Sequence, residues 1–254
     1  RRTDFRTTPL ITIDPVDARD FDDAVYAEPD TSPQNPGGWK VVVAVADVAH
    51  YVTPGSPLDR SAFQRGNSVY LPDRVIPMLP EVISNGLASL QPDRVRFART
   101  CWIEFSPDGL PVHAEEERTA IRSRRRFTYE EVDEYLAAPE AWRSRLDPAV
   151  HALLERMHTL AMTLRARRLE HGAIELALPE VKLELSRAGR VVGARLEKNT
   201  ASHQIIEEFM LAANEAVAEL LRDAKLHFLR RVHTAPDPRK LKALTEFVAA
   251  LGFA

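Results

Sequence analysis

Between Leu10 and Val25 the chain reads LITIDPVDARDFDDAV, which puts Asp14, Asp20, Asp22 and Asp23 within ten positions and Asp17 among them. Apolar residues frame the acids: Leu10, Ile11 and Ile13 before, Phe21 inside, Ala24 and Val25 after. Carboxylates in such surroundings are costly to bury unless a cation neutralises them. Oxygen-only ligands suit a hard divalent ion, Mg²⁺ or Mn²⁺. Two such ions about 3.5–4 Å apart assist phosphodiester hydrolysis, because negative charge develops on the attacking water, the phosphoryl group and the leaving oxygen. Holding two ions takes several carboxylates, and this run supplies four. A solvated Asp-rich turn is the competing reading of the same residues. A calcium loop is excluded: counted from Asp14, the place that needs Gly holds Arg19 and the place that needs an acid holds Val25.

The surrounding elements must position that loop. Leu10 to Ile13 has strand composition and leads into it. Glu28 to Gly38 carries three prolines and two glycines and reads as a surface loop between strands. Val41 to Ala49, VVVAVADVA, is a continuous apolar run that predicts a buried strand. Asp47 marks that strand's end or faces the carboxylates. Leu58 to Arg65 is a short helix, and Ser68 to Pro80 is irregular. Arg99 to Phe105 and Pro111 to Arg125 read as two strands around the turn at Pro107-Asp108-Gly109. Thr128 and Glu131 form a capping box that opens a short helix. Asp147-Pro148 starts a long helix with an apolar face, and Gly172 ends it. A hairpin over Val181–Leu185 and Val191–Leu196, a helix from Ser202 to about Leu221 and a last helix from Pro238 to Leu251 complete the chain. The predicted fold is α+β, a mixed α/β arrangement in one compact domain without repeats or an internal linker.

Composition bounds the rest. With 254 residues and 44% hydrophobic content the chain affords a sizeable core. A formal net charge of −3 gives no overall attraction to nucleic acid, so local charge has to do that work. The single cysteine, Cys101, excludes an internal disulfide and fits a reducing, cytoplasmic setting. No stretch approaches the roughly 20 apolar residues of a membrane helix. His50, His203 and His233 lack metal-ligand spacing and receive no catalytic role. The start at Arg1 suggests a piece of a longer protein.

TIDPVDARDFDDAV resembles the metal-binding signature of the RNB family, the catalytic domain of ribonuclease II and ribonuclease R. Two further blocks resemble the same family in the same order: SVYLPDRVIPMLPEVISNGLASL from Ser68 to Leu90, and IEEFMLAANEAV from Ile206 to Val217. The resemblance covers essentially the whole chain and is closer to the ribonuclease R type. It implies a metal-dependent 3′→5′ exoribonuclease that hydrolyses single-stranded RNA to nucleoside 5′-monophosphates, as a monomer. It assigns Asp14, Asp20, Asp22 and Asp23 to the catalytic metal, Mg²⁺ or alternatively Mn²⁺. Asp22 is then the residue most needed for turnover, and Asp17 a solvated loop residue. Tyr70 occupies the place of a tyrosine that stacks on the 3′-terminal base, while Tyr129 and Glu207 occupy places near the ribose. Arg122 and Arg124, in a basic run with Arg125 and Arg126, would meet phosphates. Solvated loop, strand-edge or helix-surface positions are the alternative readings of these contacts.

The sequence departs from the family at Leu176, where a second stacking aromatic is usual, and at Ala88, where Cys is common. The family's domain also continues to a segment resembling SPIRRY, whose arginine stabilises the transition state, and is flanked by cold-shock and S1 domains. The 254-residue piece is therefore expected to turn over poorly by itself. Two other functions compete: a catalytically idle RNB-like module that binds RNA or a protein partner, and another metal-dependent phosphohydrolase acting on nucleotides or DNA.

Overall fold

The computed structural model describes residues 1–175, 180–186, 188–232 and 234–253. The chain divides into two compact units, Arg1–Leu220 and Leu221–Ala254. In the first unit the strands, in chain order, are β1 (Thr3–Phe5), β2 (Ile11–Asp14), β3 (Asp23–Pro29), β4 (Trp39–Ala46), β5 (Val69–Tyr70), β6 (Val75–Ile76), β7 (Val95–Phe105), β8 (Pro111–Arg122), β9 (Arg125–Thr128), β10 (Glu180–Leu185) and β11 (Val191–Glu197). The helices are α1 (Val48–Tyr51), α2 (Pro57–Arg65), α3 (Tyr129–Ala137), α4 (Pro139–Trp142), α5 (Pro148–Glu170), α6 (Ala201–Asp223) and α7 (Pro238–Ala250), with a π-helical turn over Val82–Leu87. Only α7 and the last residues of α6 fall in the second unit.

Among the described residues seven strands form one sheet in the order β1-β8-β7-β4-β3-β2-β9. β1 runs parallel to β8 and β2 parallel to β9; the other neighbours are antiparallel. The apolar run of β4 is continuous because both faces of the sheet are covered. Val41 and Val43 join a core with α3, α5 and α6, whereas Val42, Ala44 and Ala46 join Leu10, Ala98 and Ile121 on the opposite face. Ile83, Ala88 and Leu90, from the second sequence block, complete that opposite core.

The helices begin where the sequence caps them. The Thr128 hydroxyl accepts the Glu131 N–H at 3.1 Å and the Glu131 carboxylate accepts the Thr128 N–H at 2.9 Å. Asp147 accepts from Ala149 N–H at 2.8 Å, with Pro148 first in α5. Past the end of α5, Gly172 takes φ +90°, a conformation that costs other residues a Cβ clash. Leu153, Leu154, Met157 and Leu160 of α5 are fully buried, each contributing about 1.5–3 kcal/mol of hydrophobic stabilisation.

Two predicted boundaries shift. The stretch read as one strand from Pro111 to Arg125 breaks after Arg122, and β9 pairs with β2 at the far edge of the sheet. The segment read as irregular contains the β5–β6 hairpin. Asp47 does mark the end of β4, and its carboxylate pairs with Arg2 at 2.5 Å instead of joining the other acids.

Candidate active site

Four strand ends converge on the acidic loop. Asp14 is the last residue of β2 and Asp23 the first of β3. These strands are antiparallel, with Ile11 opposite Val25, so both carboxylates come to the same end of the sheet. Asp20 and Asp22 lie on the loop between them. β9 runs beside β2 and sets Thr128 opposite Asp14, which starts Tyr129 and α3 at that end too. On the other side β4 sets Val45 opposite Asp23, and Ala46 N–H donates to the Asp22 carbonyl at 2.9 Å.

The loop itself is tied down by residues of the second block. Phe21 N–H donates to Ser89 Oγ at 3.0 Å, and the Ser89 hydroxyl donates to the Arg19 carbonyl at 3.2 Å. Leu90 N–H donates to the Phe21 carbonyl at 2.8 Å. Arg126 secures the start of the loop: its guanidinium donates to the Pro15 carbonyl and lies 5.4 Å from the Phe21 ring centre.

Three of the carboxyls are pushed above their ordinary range. Asp14, 7% exposed, rises to about 7, through burial first, with the charges of Asp23 and Asp22 adding to it. Asp23 rises to about 6, through burial and then Asp22. Asp22 reaches solvent at the rim, yet it too is raised, by partial desolvation and then by Asp20. Asp14 Oδ2 is buried and has no hydrogen-bond partner among the described residues. Among those residues no three acidic, histidine or cysteine side chains close into a ready-made ligand set. The donor chemistry nevertheless fits a hard cation: oxygen ligands only, an orphaned buried carboxylate oxygen, and acids that repel one another while ionised.

The remaining residues singled out from the sequence fall in different places. The Tyr129 hydroxyl is pushed to about 12 by burial first and then by the charges of Asp23 and Asp14. Its ring stacks on His203 of α6 at 3.9 Å and 11°. Glu207, one helical turn further, accepts from Arg168 at 3.0 Å and from Asn199 at 3.3 Å. Tyr70 stands 72% exposed on β5. Asp17 is exposed. Arg122 ends β8 several strands away, and Arg124 N–H donates to the Leu10 carbonyl at 2.7 Å, so Arg124 lies toward the opposite end of β2 from Asp14. The arginine of that run whose charge reaches Asp14 is Arg126. Leu176 and His233 lie outside the described residues.

Sequence reasoning passed over Ser89 and Glu208, left Arg126 undistinguished in its basic run and gave His203 no catalytic role. Only strand register separates Arg126 from its three neighbours. Glu208 reads as one more helix-surface acid, but it is 3% exposed and accepts from Arg168 Nη2 at 2.5 Å.

A family model described as the RNB domain matches residues 2–253. The chain belongs to the RNB domain family. Its RNB relatives include ribonuclease R of Vibrio parahaemolyticus, 40% identical over 99% of this chain and 30% of that protein. Ribonuclease R of Thermotoga maritima is also 40% identical, over 99% of this chain and 35% of its own length. The chain thus spans about a third of the length of these curated relatives. Among solved structures, Mycoplasma genitalium RNase R in complex with ribose-methylated single-stranded RNA matches with a TM-score of 0.93 at 32% identity, covering all of this chain and 38% of that one.

Proposed function

We propose that this chain is the catalytic region of a metal-dependent 3′→5′ exoribonuclease that hydrolyses single-stranded RNA to nucleoside 5′-monophosphates. The observation that carries the reading is the orphaned, buried Asp14 oxygen inside a group of raised carboxyls at one end of the sheet, in a chain whose relatives are named ribonuclease R. Asp14, Asp20, Asp22 and Asp23 would hold Mg²⁺, or Mn²⁺ in its place. When bound, the cation supplies neutralisation of phosphate charge and a lowered pKa for water. Solvent-facing Asp22 is the acid best placed to act on turnover rather than on binding. Tyr129, protonated up to about pH 12, offers a neutral hydroxyl beside the acids, and Glu207 offers an acceptor one turn beyond His203. A 2′-hydroxyl can donate to such a carboxylate, and this contact separates RNA from DNA. The exposed Tyr70 ring offers a stacking face for the 3′-terminal base. Arg122 and Arg124 would contact phosphates further along the strand. The protein acts as a monomer in the cytoplasm, a setting supported by the one free, buried Cys101.

The test uses the longest obtainable form of the protein, a 5′-labelled single-stranded RNA and a DNA of the same sequence, with Mg²⁺ or EDTA, and Asp22→Asn as control. The expected result is a ladder shortening from the 3′ end on RNA only, with metal only, and lost in Asp22→Asn while RNA binding persists. Shortening of DNA at a similar rate would point instead to a general phosphohydrolase. Binding without shortening would point to an idle RNA-binding module.

A further inference from the structure

We infer that His203 is the positioning residue for Tyr129: its ring, laid flat on the phenol ring and tied to Thr200, fixes the angle at which the Tyr129 hydroxyl meets the substrate's terminal sugar, and thereby sets the preference for ribose over deoxyribose. The inference rests on the reading of Tyr129 as a ribose contact and names the residue that makes that contact selective.

The geometry is a closed chain of contacts between two helices. The Tyr129 and His203 rings stack at 3.9 Å with 11° between their planes. His203 Nδ1 and Thr200 Oγ1 are hydrogen-bonded at 2.8 Å, and Thr200 Oγ1 also lies 3.0 Å from Ser202 Oγ. Ser202 N–H donates to Asp133 Oδ1 at 3.1 Å, which satisfies an orphan donor at the start of α6 with a side chain of α3. Asp133 lies one turn beyond Tyr129 on α3, so the chain of contacts returns to its origin. Glu207 lies one turn beyond His203 on α6, on the same helix side. His203 therefore stands between the two residues read as sugar contacts, with one ring face covering Tyr129.

Thr128 lies opposite Asp14 in the sheet, so Tyr129 starts α3 beside the acids, and its ring face is covered by His203. Discrimination by one hydroxyl group depends on donor and acceptor meeting at the right angle, because a site built for that hydroxyl is left unpaired without it. A misplacement of about 1 Å in such a site costs about 100-fold in rate. A free phenol ring turns about its χ angles, and the stacked imidazole removes that freedom.

The test compares two 5′-labelled RNA oligonucleotides, one ending in a 3′ ribonucleotide and one in a 2′-deoxynucleotide, with full-length protein and Mg²⁺. In His203→Ala the ratio of kcat/KM for ribose over deoxyribose ends is expected to fall by about tenfold or more, chiefly in kcat. His203→Phe, which keeps a flat ring, retains most of the ratio, and Thr200→Val falls between. Circular dichroism melting accompanies each variant; if His203→Ala does not fold, His203→Phe against Thr200→Val reads the same effect. An unchanged ratio in His203→Ala, or equal losses in the Phe and Ala variants, overturns the inference. If wild-type protein releases no nucleotide from either oligonucleotide, the exoribonuclease reading falls. The affinity ratio for the two uncut oligonucleotides then decides the role of His203, and absence of binding to both overturns it as well.

Discussion

Asp14 closes a strand whose four residues are all buried, and one of its oxygens lacks a partner among the described residues. Folded, its carboxyl sits at about 7; unfolded, a carboxyl sits near about 4. Between those values the native state holds a proton that the unfolded state has released. Stability from this group therefore falls as pH rises through that window, and the whole penalty is present above it. Asp23, at about 6, acts in the same direction. Acids with lowered carboxyls, such as Asp30 and Asp108, tilt the total the other way, so the difference between wild type and Asp14→Asn is the quantity to read. In EDTA, wild type is expected to lose Tm relative to Asp14→Asn between pH 5 and pH 8. A divalent cation favours the ionised acids, so Mg²⁺ should raise the wild-type Tm more at pH 8 than at pH 5 and leave Asp14→Asn nearly unmoved. Scanning fluorimetry over that range checks both, and a wild-type minus Asp14→Asn difference that grows with pH would refute the electrostatic account.

Helix α6 carries two adjacent acids with different duties. Glu208 is 3% exposed and faces Arg168, with bonds from Nε and Nη2, and Arg165 at 3.7 Å. Glu207 is half-exposed and shares Arg168 with it. Glu208→Ala removes the buried acceptor of Arg168 but leaves Arg168 its bond to Glu207 and Arg165 its pair with Glu175, so it is expected to cost about 3 kcal/mol, the low end for breaking a buried pair. In a chain of this size that lowers Tm by about 10 °C. Glu207→Ala should cost less than about 1 kcal/mol, because its pairing is screened by solvent. Thermal unfolding of both variants checks the contrast, and equal losses would refute it. The same helix shows what was legible in the sequence. Its buried apolar residues Ile205, Phe209, Ala213 and Ala216 recur every three or four positions, a spacing visible in the sequence, and the caps at Thr128 and Asp147 located α3 and α5. The Asp run offered oxygen ligands through residue type alone, and only the fold shows that Asp14 among them is buried while Asp22 is exposed. Burial of Glu208 was hidden because an acid at one position and an acid at the next look alike until two arginines from α5 are folded against one of them. The Tyr129–His203 stack joins residues 74 positions apart, and no local pattern encodes it. Likewise, the break between β8 and β9 falls at Ser123-Arg124 inside an arginine-rich run, and only pairing with β2 tells Arg126 from Arg124.

Across the whole sheet, β2 acts as a ruler between its acidic end and its basic end. Arg124 bonds to Leu10 before the strand begins and Asp14 ends it, so the two groups are separated by at least three strand steps, about 10 Å. Arg122 lies within electrostatic reach of Asp4 at the edge of the sheet. The net charge of −3 supplies no long-range attraction for RNA, so phosphate contacts have to be local. If Arg122 and Arg124 meet phosphates, they meet those of nucleotides upstream of the one at the acids. The double variant Arg122→Ala, Arg124→Ala should therefore weaken binding of a long single-stranded RNA and leave a dinucleotide unaffected. Its binding should also lose about 0.7 in log–log salt slope per contact removed, about 1.4 for the pair. Arg126→Ala should behave differently, because that arginine holds the Pro15 carbonyl and lies over Phe21 within the acidic loop. It is expected to slow hydrolysis of RNA of every length with little change in salt slope. Titrations at several salt concentrations, paired with single-turnover rates on short and long RNA, separate the two. A double variant that slowed dinucleotide and long RNA alike would place Arg122 and Arg124 in the support of the sheet instead of along the path of the strand.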